Sequence, residues 1–174
     1  MSDSRAQFER VYHDCYAAVQ RYTARRVPPE AVQDVVADTF VTAWRRYGEL
    51  HGEPLPWLLG IARRTAANQR RGGARREALR ERLSGEQRLS AEPRLGEGDA
   101  HLTAALATLA ERDREALMLV AWDGLEHRVA ATVMGCSTGA FTVRVHRARR
   151  KLERALARQE TSPIDVNQEA RSLP

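Results

Sequence analysis

Residues 129–152 read VAATVMGCSTGAFTVRVHRARRKL, a short apolar segment holding Val129, Ala130, Val133 and Met134, then Gly135-Cys136-Ser137, then a run with Phe141, Val145, Ala148 and Leu152 on one side. Apolar residues at three- and four-residue steps mark amphipathic helix. Two such segments around a glycine turn, the second basic on its outer face, have the layout of a helix-turn-helix. Gly135 suits the turn because it tolerates positive φ. Ser137 can cap the free N–H groups that open the second helix. With Phe141, Val145 and Ala148 turned inward, Gly139, Ala140, Thr142, Val143, His146 and Arg147 are left outward. Small residues at the front of such a helix let it sit deep in a major groove, while Arg144, Arg147, Arg149, Arg150 and Lys151 reach base edges or phosphates. A plain helical hairpin fits this stretch too, so the rest of the chain has to discriminate.

Working outward, every other periodic stretch is helical. Phe8, Val11, Tyr12, Cys15, Val19 and Tyr22 form one stripe, ended by Arg25-Arg26-Val27-Pro28-Pro29. Pro29 opens a second helix with Val32, Val35, Val36, Thr39, Phe40, Ala43, Trp44 and Tyr47 on one face. A loop with two Gly and a Pro precedes a third, with Leu55, Leu58, Leu59, Ala62 and Ala66 inward; Gly72-Gly73 is expected to fray or kink it. Leu102, Leu106 and Leu109, then Leu117, Val120 and Ala121, resume the pattern until Asp123-Gly124. No stretch reads as a strand. The expectation is an all-α protein of two small helical domains, 5–83 and 101–158, joined by a flexible linker at 84–100 and followed by a disordered tail at 159–174.

Composition narrows the class. The chain has 174 residues, 43% hydrophobic and 29% charged, as in globular proteins. No apolar run approaches the roughly 20 residues that span a bilayer, and Met1 to Arg5 carry no secretory signal. Membrane insertion is not expected, and the cytoplasm is. Cys15 and Cys136 are expected as ordinary buried thiols without a disulfide. His13 stands two residues from Cys15, which points the side chains apart on a helix, so no metal and no cofactor is expected.

The net charge of +5 is unevenly placed. Residues 1–60 hold seven Arg against eight acids, whereas 61–82 hold eight Arg against Glu77 and Glu81, and 144–158 hold six Arg and Lys151 against Glu153. One basic helical stretch in each half fits two nucleic-acid contacts, or two solvated helix faces.

Four motifs in order decide between these. Val32 through Arg45 (VQDVVADTFVTAWR) resembles the core-polymerase-binding helix of bacterial sigma factors of the extracytoplasmic-function group. Pro56 through Arg64 (PWLLGIARR) is similar to the start of their promoter-melting helix. Leu109 through Leu117 (LAERDREAL), and Gly135 through Gly139 followed by Val145 through Leu152, resemble their C-terminal domain. The resemblance implies a promoter-specificity subunit that binds core RNA polymerase and promoter DNA, with an anti-sigma protein as regulator. It implies polymerase contacts from Asp34, Val35, Asp38, Thr39, Phe40 and Trp44, although Phe40 and Trp44 also fit the domain's own core. It implies minus-ten contacts from His51, Trp57, Arg63, Arg64, Asn68, Arg70 and Arg71; a flipped base needs a stacking or cationic surface, and an amide such as Asn68 can read a base edge. Trp57 fits the core equally. Minus-thirty-five contacts fall to Ser137, Thr138, Gly139, Ala140, Thr142, Val143, Arg144 and Arg147.

The chain departs from the family pattern in places. The first helix of the helix-turn-helix usually opens with Ser or Thr, then Tyr, and carries Glu and Ile before Ala; here the stretch is Glu126-His127-Arg128-Val129-Ala130-Ala131, without the usual cap. Ala140 and Phe141 stand where Thr and Val are common, and Thr142 replaces a frequent basic residue. A weaker or altered minus-thirty-five contact is the expectation. The competing reading is an autonomous helix-turn-helix regulator, dimeric on a two-fold site, which would have no use for the helices at Asp34 to Trp44 and Trp57 to Arg71. An enzyme is not expected, since the sequence shows no phosphate-binding Gly loop, no paired metal ligands and no nucleophile with a base.

Overall fold

The computed structural model describes residues 2–84 and 100–160. In it the chain forms α1 (Ser2–Ala24), α2 (Val32–Arg45), α3 (Pro54–Ser84), α4 (Ala100–Ala107), α5 (Glu111–Ala121), α6 (His127–Met134) and α7 (Thr138–Glu160), with single 3-10 turns at Pro29–Ala31 and Tyr47–Glu49. Among the described residues there is no strand.

Local chemistry accounts for the helix ends. The 3-10 turn that begins at Pro29 feeds α2, and Arg46 closes that helix by donating its backbone N–H to the Thr42 and Ala43 carbonyls. Gly135, at φ 65°, lets the chain leave α6 in the left-handed region. Its N–H bonds the Thr132 carbonyl at 3.1 Å and that of Cys136 bonds Ala131 at 3.0 Å, so the last carbonyls of α6 are satisfied within the turn. Ser137 Oγ then accepts from the Ala140 N–H at 3.3 Å, capping α7. Cys15 is buried, but Cys136 is exposed, contrary to expectation, because the turn that uses its N–H faces solvent. α3 runs through Gly72-Gly73 to Ser84 with no break, and its last turns leave Leu79 and Leu83 exposed. The linker expected at 84–100 lies, apart from its end residues, outside the described residues; of the tail expected at 159–174, Gln159 and Glu160 instead continue α7, and the rest lies outside the described residues.

The two halves share one apolar core. Val19 and Tyr22 of α1, Val35 and Phe40 of α2, and Leu58, Ile61 and Ala62 of α3 are buried in the same cluster as Leu106 of α4, Leu119 of α5, Val133 of α6 and Phe141 and Val145 of α7. Where α3 crosses α6, Gly60 is buried, and a Cβ there would stand 3.5 Å from the Val133 carbonyl oxygen. The expectation of two domains is therefore refined: both helical units exist, and they are docked on each other.

A buried ion cluster joins them at the other end. Arg26, 3% exposed, donates Nε–H to both Glu115 oxygens at 3.0 Å and Nη2–H to Asp123 at 2.6 Å. Its guanidinium lies 3.6 Å over the Tyr22 ring, whose hydroxyl donates to Glu115 at 2.7 Å. Arg25 adds bonds to Asp123 and to the Trp122 carbonyl, each 2.9 Å. Arg70 of α3 donates to the Arg26 carbonyl and pairs with Glu111. Removing charges from water is costly unless each is paired and hydrogen-bonded, and here each buried charge has a partner from the other half.

Candidate nucleic-acid interface

The helix-turn-helix leaves one face of α7 open to solvent. Phe141, Val145 and Ala148 are buried and anchor it, while Thr138, Gly139, Ala140, Thr142, Val143, His146 and Arg147 are exposed along its outer side. Val143 is 49% exposed in the middle of that face. α7 is tied to α5 by Asp113, which accepts from Arg144 Nη1 at 3.0 Å and from Lys151 Nζ at 2.6 Å. Burial alone would raise the Asp113 carboxyl; the Lys151 ammonium and then the Arg144 guanidinium outweigh it and hold the group below the usual aspartate value. Arg144 thereby braces α7 against α5 while its side chain stays half-buried. The Thr142 hydroxyl faces His127 Nδ1 at 3.0 Å.

α3 carries the second basic surface. Arg63, Arg64 and Arg46 lie close enough that, after burial, the charges of Arg46 and Arg63 lower the basicity of the Arg64 guanidinium, which makes this a concentrated positive spot. Arg46, outside the minus-ten set read from sequence, belongs to it, with Glu49 paired to it at 2.5 Å. Arg71 donates to Asn68 Oδ1 at 2.6 Å, so the amide and guanidinium stand together. His51 is exposed in the loop before α3, and Trp57 is half-buried against the core. Arg63 and Arg70 are diverted: Arg63 Nε donates to the Val133 carbonyl of α6 at 3.3 Å, and Arg70 pairs with Glu111 of α5.

The face of α2 splits by depth. Asp34, Asp38, Val41 and Trp44 are exposed, whereas Val35, Thr39 and Phe40 are buried and hold the helix to its own domain. Phe40 is thus core, and Trp44, at 46% exposure, is surface. Trp44 stacks edge-on to Phe8 at 5.1 Å, Phe8 meets Tyr47 at 5.2 Å, and Tyr12 packs on Phe40 at 4.7 Å. Tyr12 of α1 and Val41 and Trp44 of α2 are exposed large apolar side chains, and α2 also exposes Asp34 and Asp38, a mix suited to a protein partner. Phe8 and Tyr12 stand in the periodic stripe of α1 only as core candidates, and Val41 lies outside the stripe read for α2. Among the described residues no group of three or more His, Cys, Asp or Glu comes together as a metal site.

Comparison with known proteins bears on these surfaces. Residues 8–76 match the family model of sigma-70 region 2, and residues 100–152 match that of sigma-70 region 4. The RNA polymerase sigma factor NccH of Alcaligenes xylosoxydans xylosoxydans is 31% identical over 144 residues, covering 72% of this chain and 73% of the relative. The RNA polymerase sigma-H factor of Pseudomonas aeruginosa is 30% identical over 146 residues, covering 73% and 74%. Among solved structures, CnrH in complex with the cytosolic domain of CnrY superposes with a TM-score of 0.59 at 26% identity, over 88% of this chain and 90% of that one. The sigma factor RpoE of Bartonella quintana, in complex with the anti-sigma factor NepR, shares the fold at a TM-score of 0.58 and 24% identity, over 87% and 97%.

Proposed function

The chain belongs to the sigma-70 family, in its extracytoplasmic-function group, and from that premise we propose how its surfaces divide the work of directing core RNA polymerase to promoters. Asp34, Asp38, Val41 and Trp44 dock on the polymerase, with Val35, Thr39 and Phe40 as the buried support that keeps α2 rigid. Arg64, Asn68 and Arg71, with His51 and Trp57, meet the opened minus-ten strand. Thr138, Gly139, Ala140, Thr142, Val143 and Arg147 read the minus-thirty-five duplex, with Ser137 as the cap of the reading helix and Arg144 as its brace. The single observation that carries this reading is the exposed, capped outer face of α7 in a chain whose halves match region 2 and region 4 in that order.

In the closed arrangement Arg63 and Arg70 are spent on the C-terminal half. Contact of both with promoter strands therefore requires the halves to part, which docking on the polymerase can drive if it favours the open form. An anti-sigma factor, such as NepR is to RpoE, is the partner that would favour another state. The chemistry of RNA synthesis belongs to the polymerase, and this chain acts as its specificity subunit rather than as an enzyme. Its place of work is the cytoplasm, where polymerase and chromosome are; among the described residues no helix is long and apolar enough to cross a membrane.

Size-exclusion co-elution with core RNA polymerase tests the reading. The wild-type chain is expected to co-elute, and an Asp34→Ala/Asp38→Ala/Trp44→Ala variant to lose co-elution while remaining folded. Failure of the wild type to co-elute, with binding of the free chain to duplex DNA, would replace this reading with an autonomous regulator. Promoter affinity of the holoenzyme should also fall steeply with salt as phosphate contacts release counterions; a flat dependence would remove the Arg surfaces from the interface.

A further inference from the structure

Two of the places where the sequence departs from its family pattern, the opening of α6 and position 142 of α7, meet in space. His127, the first residue of α6, sets its ring edge-on to Phe141 at 5.5 Å and 73°, and its Nδ1 lies 3.0 Å from Thr142 Oγ1. The cap position itself is Glu126, whose side chain makes no capping bond, so the histidine does a different job from the residue that usually opens this helix.

That job is legible from the other threonines. Thr23, Thr39, Thr65 and Thr132 each donate the hydroxyl to the carbonyl four residues back, the ordinary outlet for a helical threonine. Thr142 instead turns its hydroxyl to a side chain of a neighbouring helix, and it does so while exposed on the reading face. His127 is half-buried and packed on the Phe141 ring, which is itself fully buried, so the imidazole is the fixed member of the pair. A hydroxyl held by a fixed ring has one rotamer rather than three, and its remaining hydrogen-bonding capacity points one way. If Nδ1 carries the proton, Thr142 keeps its own proton to offer a base acceptor; if it does not, Thr142 donates inward and offers lone pairs to a base amino group. Either state turns an adaptable hydroxyl into a directional one, the property that distinguishes base readout from phosphate contact.

We propose that His127 is a positioning residue for minus-thirty-five recognition, aiming the Thr142 hydroxyl at one base pair. The proposal rests on the reading of α7 as the minus-thirty-five reader. Holoenzyme reconstituted from core RNA polymerase and the full chain selects promoter fragments from a pool randomised across the upstream element. Base preference at each position is compared for wild type, His127→Ala, His127→Asn, Thr142→Val and the His127→Ala/Thr142→Val double variant. At a single position, preference should fall about fivefold in His127→Ala and in Thr142→Val, what one net hydrogen bond is worth, and no further in the double variant. His127→Asn places an amide near the former Nδ1 and should restore the preference. A merely structural role would weaken binding evenly at all positions, or add in the double variant, and either result overturns the proposal. So does unchanged preference in His127→Ala when the wild type is selective. A wild-type holoenzyme that selects no sequence upstream would overturn the reading of α7 itself, and this proposal with it.

Discussion

Truncating Glu115 to alanine takes one carboxylate from the cluster that joins the halves. It leaves the Nε–H of Arg26, a residue at 3% exposure, without either of its acceptor oxygens, with only Asp123 to balance the buried charge, and it leaves the Tyr22 hydroxyl without its acceptor. Breaking a buried pair from one side costs about 3–5 kcal/mol, because the surviving charge stays out of water. Asp123 still bonds Arg26 at 2.6 Å, which places the expected loss near the lower end, about 3 kcal/mol. Glu115→Gln keeps an acceptor for Tyr22 and should cost less, while exchanging both Arg26 and Glu115 for apolar residues of similar volume should cost less than Glu115→Ala alone. Urea unfolding followed by circular dichroism gives the free energies, and a donor–acceptor dye pair placed on α2 and α7 reports whether the halves separate before they unfold. In the wild type the pair should stay close at high salt, since buried charges are little screened. A loss below about 1 kcal/mol for Glu115→Ala, the size expected of an exposed pair, would refute the reasoning: the cluster would be solvated and the halves not docked through it.

Three further outcomes follow from the same geometry. A Cβ at Gly72 or Gly73 meets nothing within 4 Å, so Gly72→Ala and Gly73→Ala should each add about 0.5–1 kcal/mol to the stability of α3, read from the thermal midpoint; a decrease at either would mean the helix needs to bend there. Burial, and beyond it the Glu115 carboxylate, raises the Tyr22 phenol well above the ordinary value despite the opposing Arg26 charge. Its contribution to stability is whole below pH about 10 and is lost as pH rises through the raised value, so one of the four tyrosines should resist ionisation in an absorbance titration until the fold opens; four titrating alike would contradict it. Asp113 is held the other way, below the usual aspartate value, so its contribution is present above pH about 4 and lost as pH falls through the lowered one; Asp113→Asn should shrink the acid-induced fall in melting temperature, and an unchanged fall would assign it to other carboxylates.

What the sequence determined by itself is what depends on neighbours three or four residues apart. The stripes of α1, α2 and α7, the glycine turn at Gly135 and the cap at Ser137 all follow from local geometry and stand in the structure, except at the end of the α2 stripe, where Trp44 is surface and Tyr47 falls in the 3-10 turn after the helix. The order of four motifs carried the family, because motifs are local too. Gly72-Gly73 shows the limit of such reasoning even at short range, since two glycines cost less than the rest of α3 supplies and the helix continues through them. Tertiary structure alone decided how the basic residues are shared out. Arg26 meets Glu115 across 89 positions and Asp123 across 97, Arg63 meets Val133 across 70, and Arg144 meets Asp113 across 31. No periodicity encodes such pairings: a guanidinium reads the same in sequence whether it faces solvent, a phosphate or a carboxylate on another helix. The choice is made by desolvation, which lets a charge be buried only where packing brings it an opposite partner.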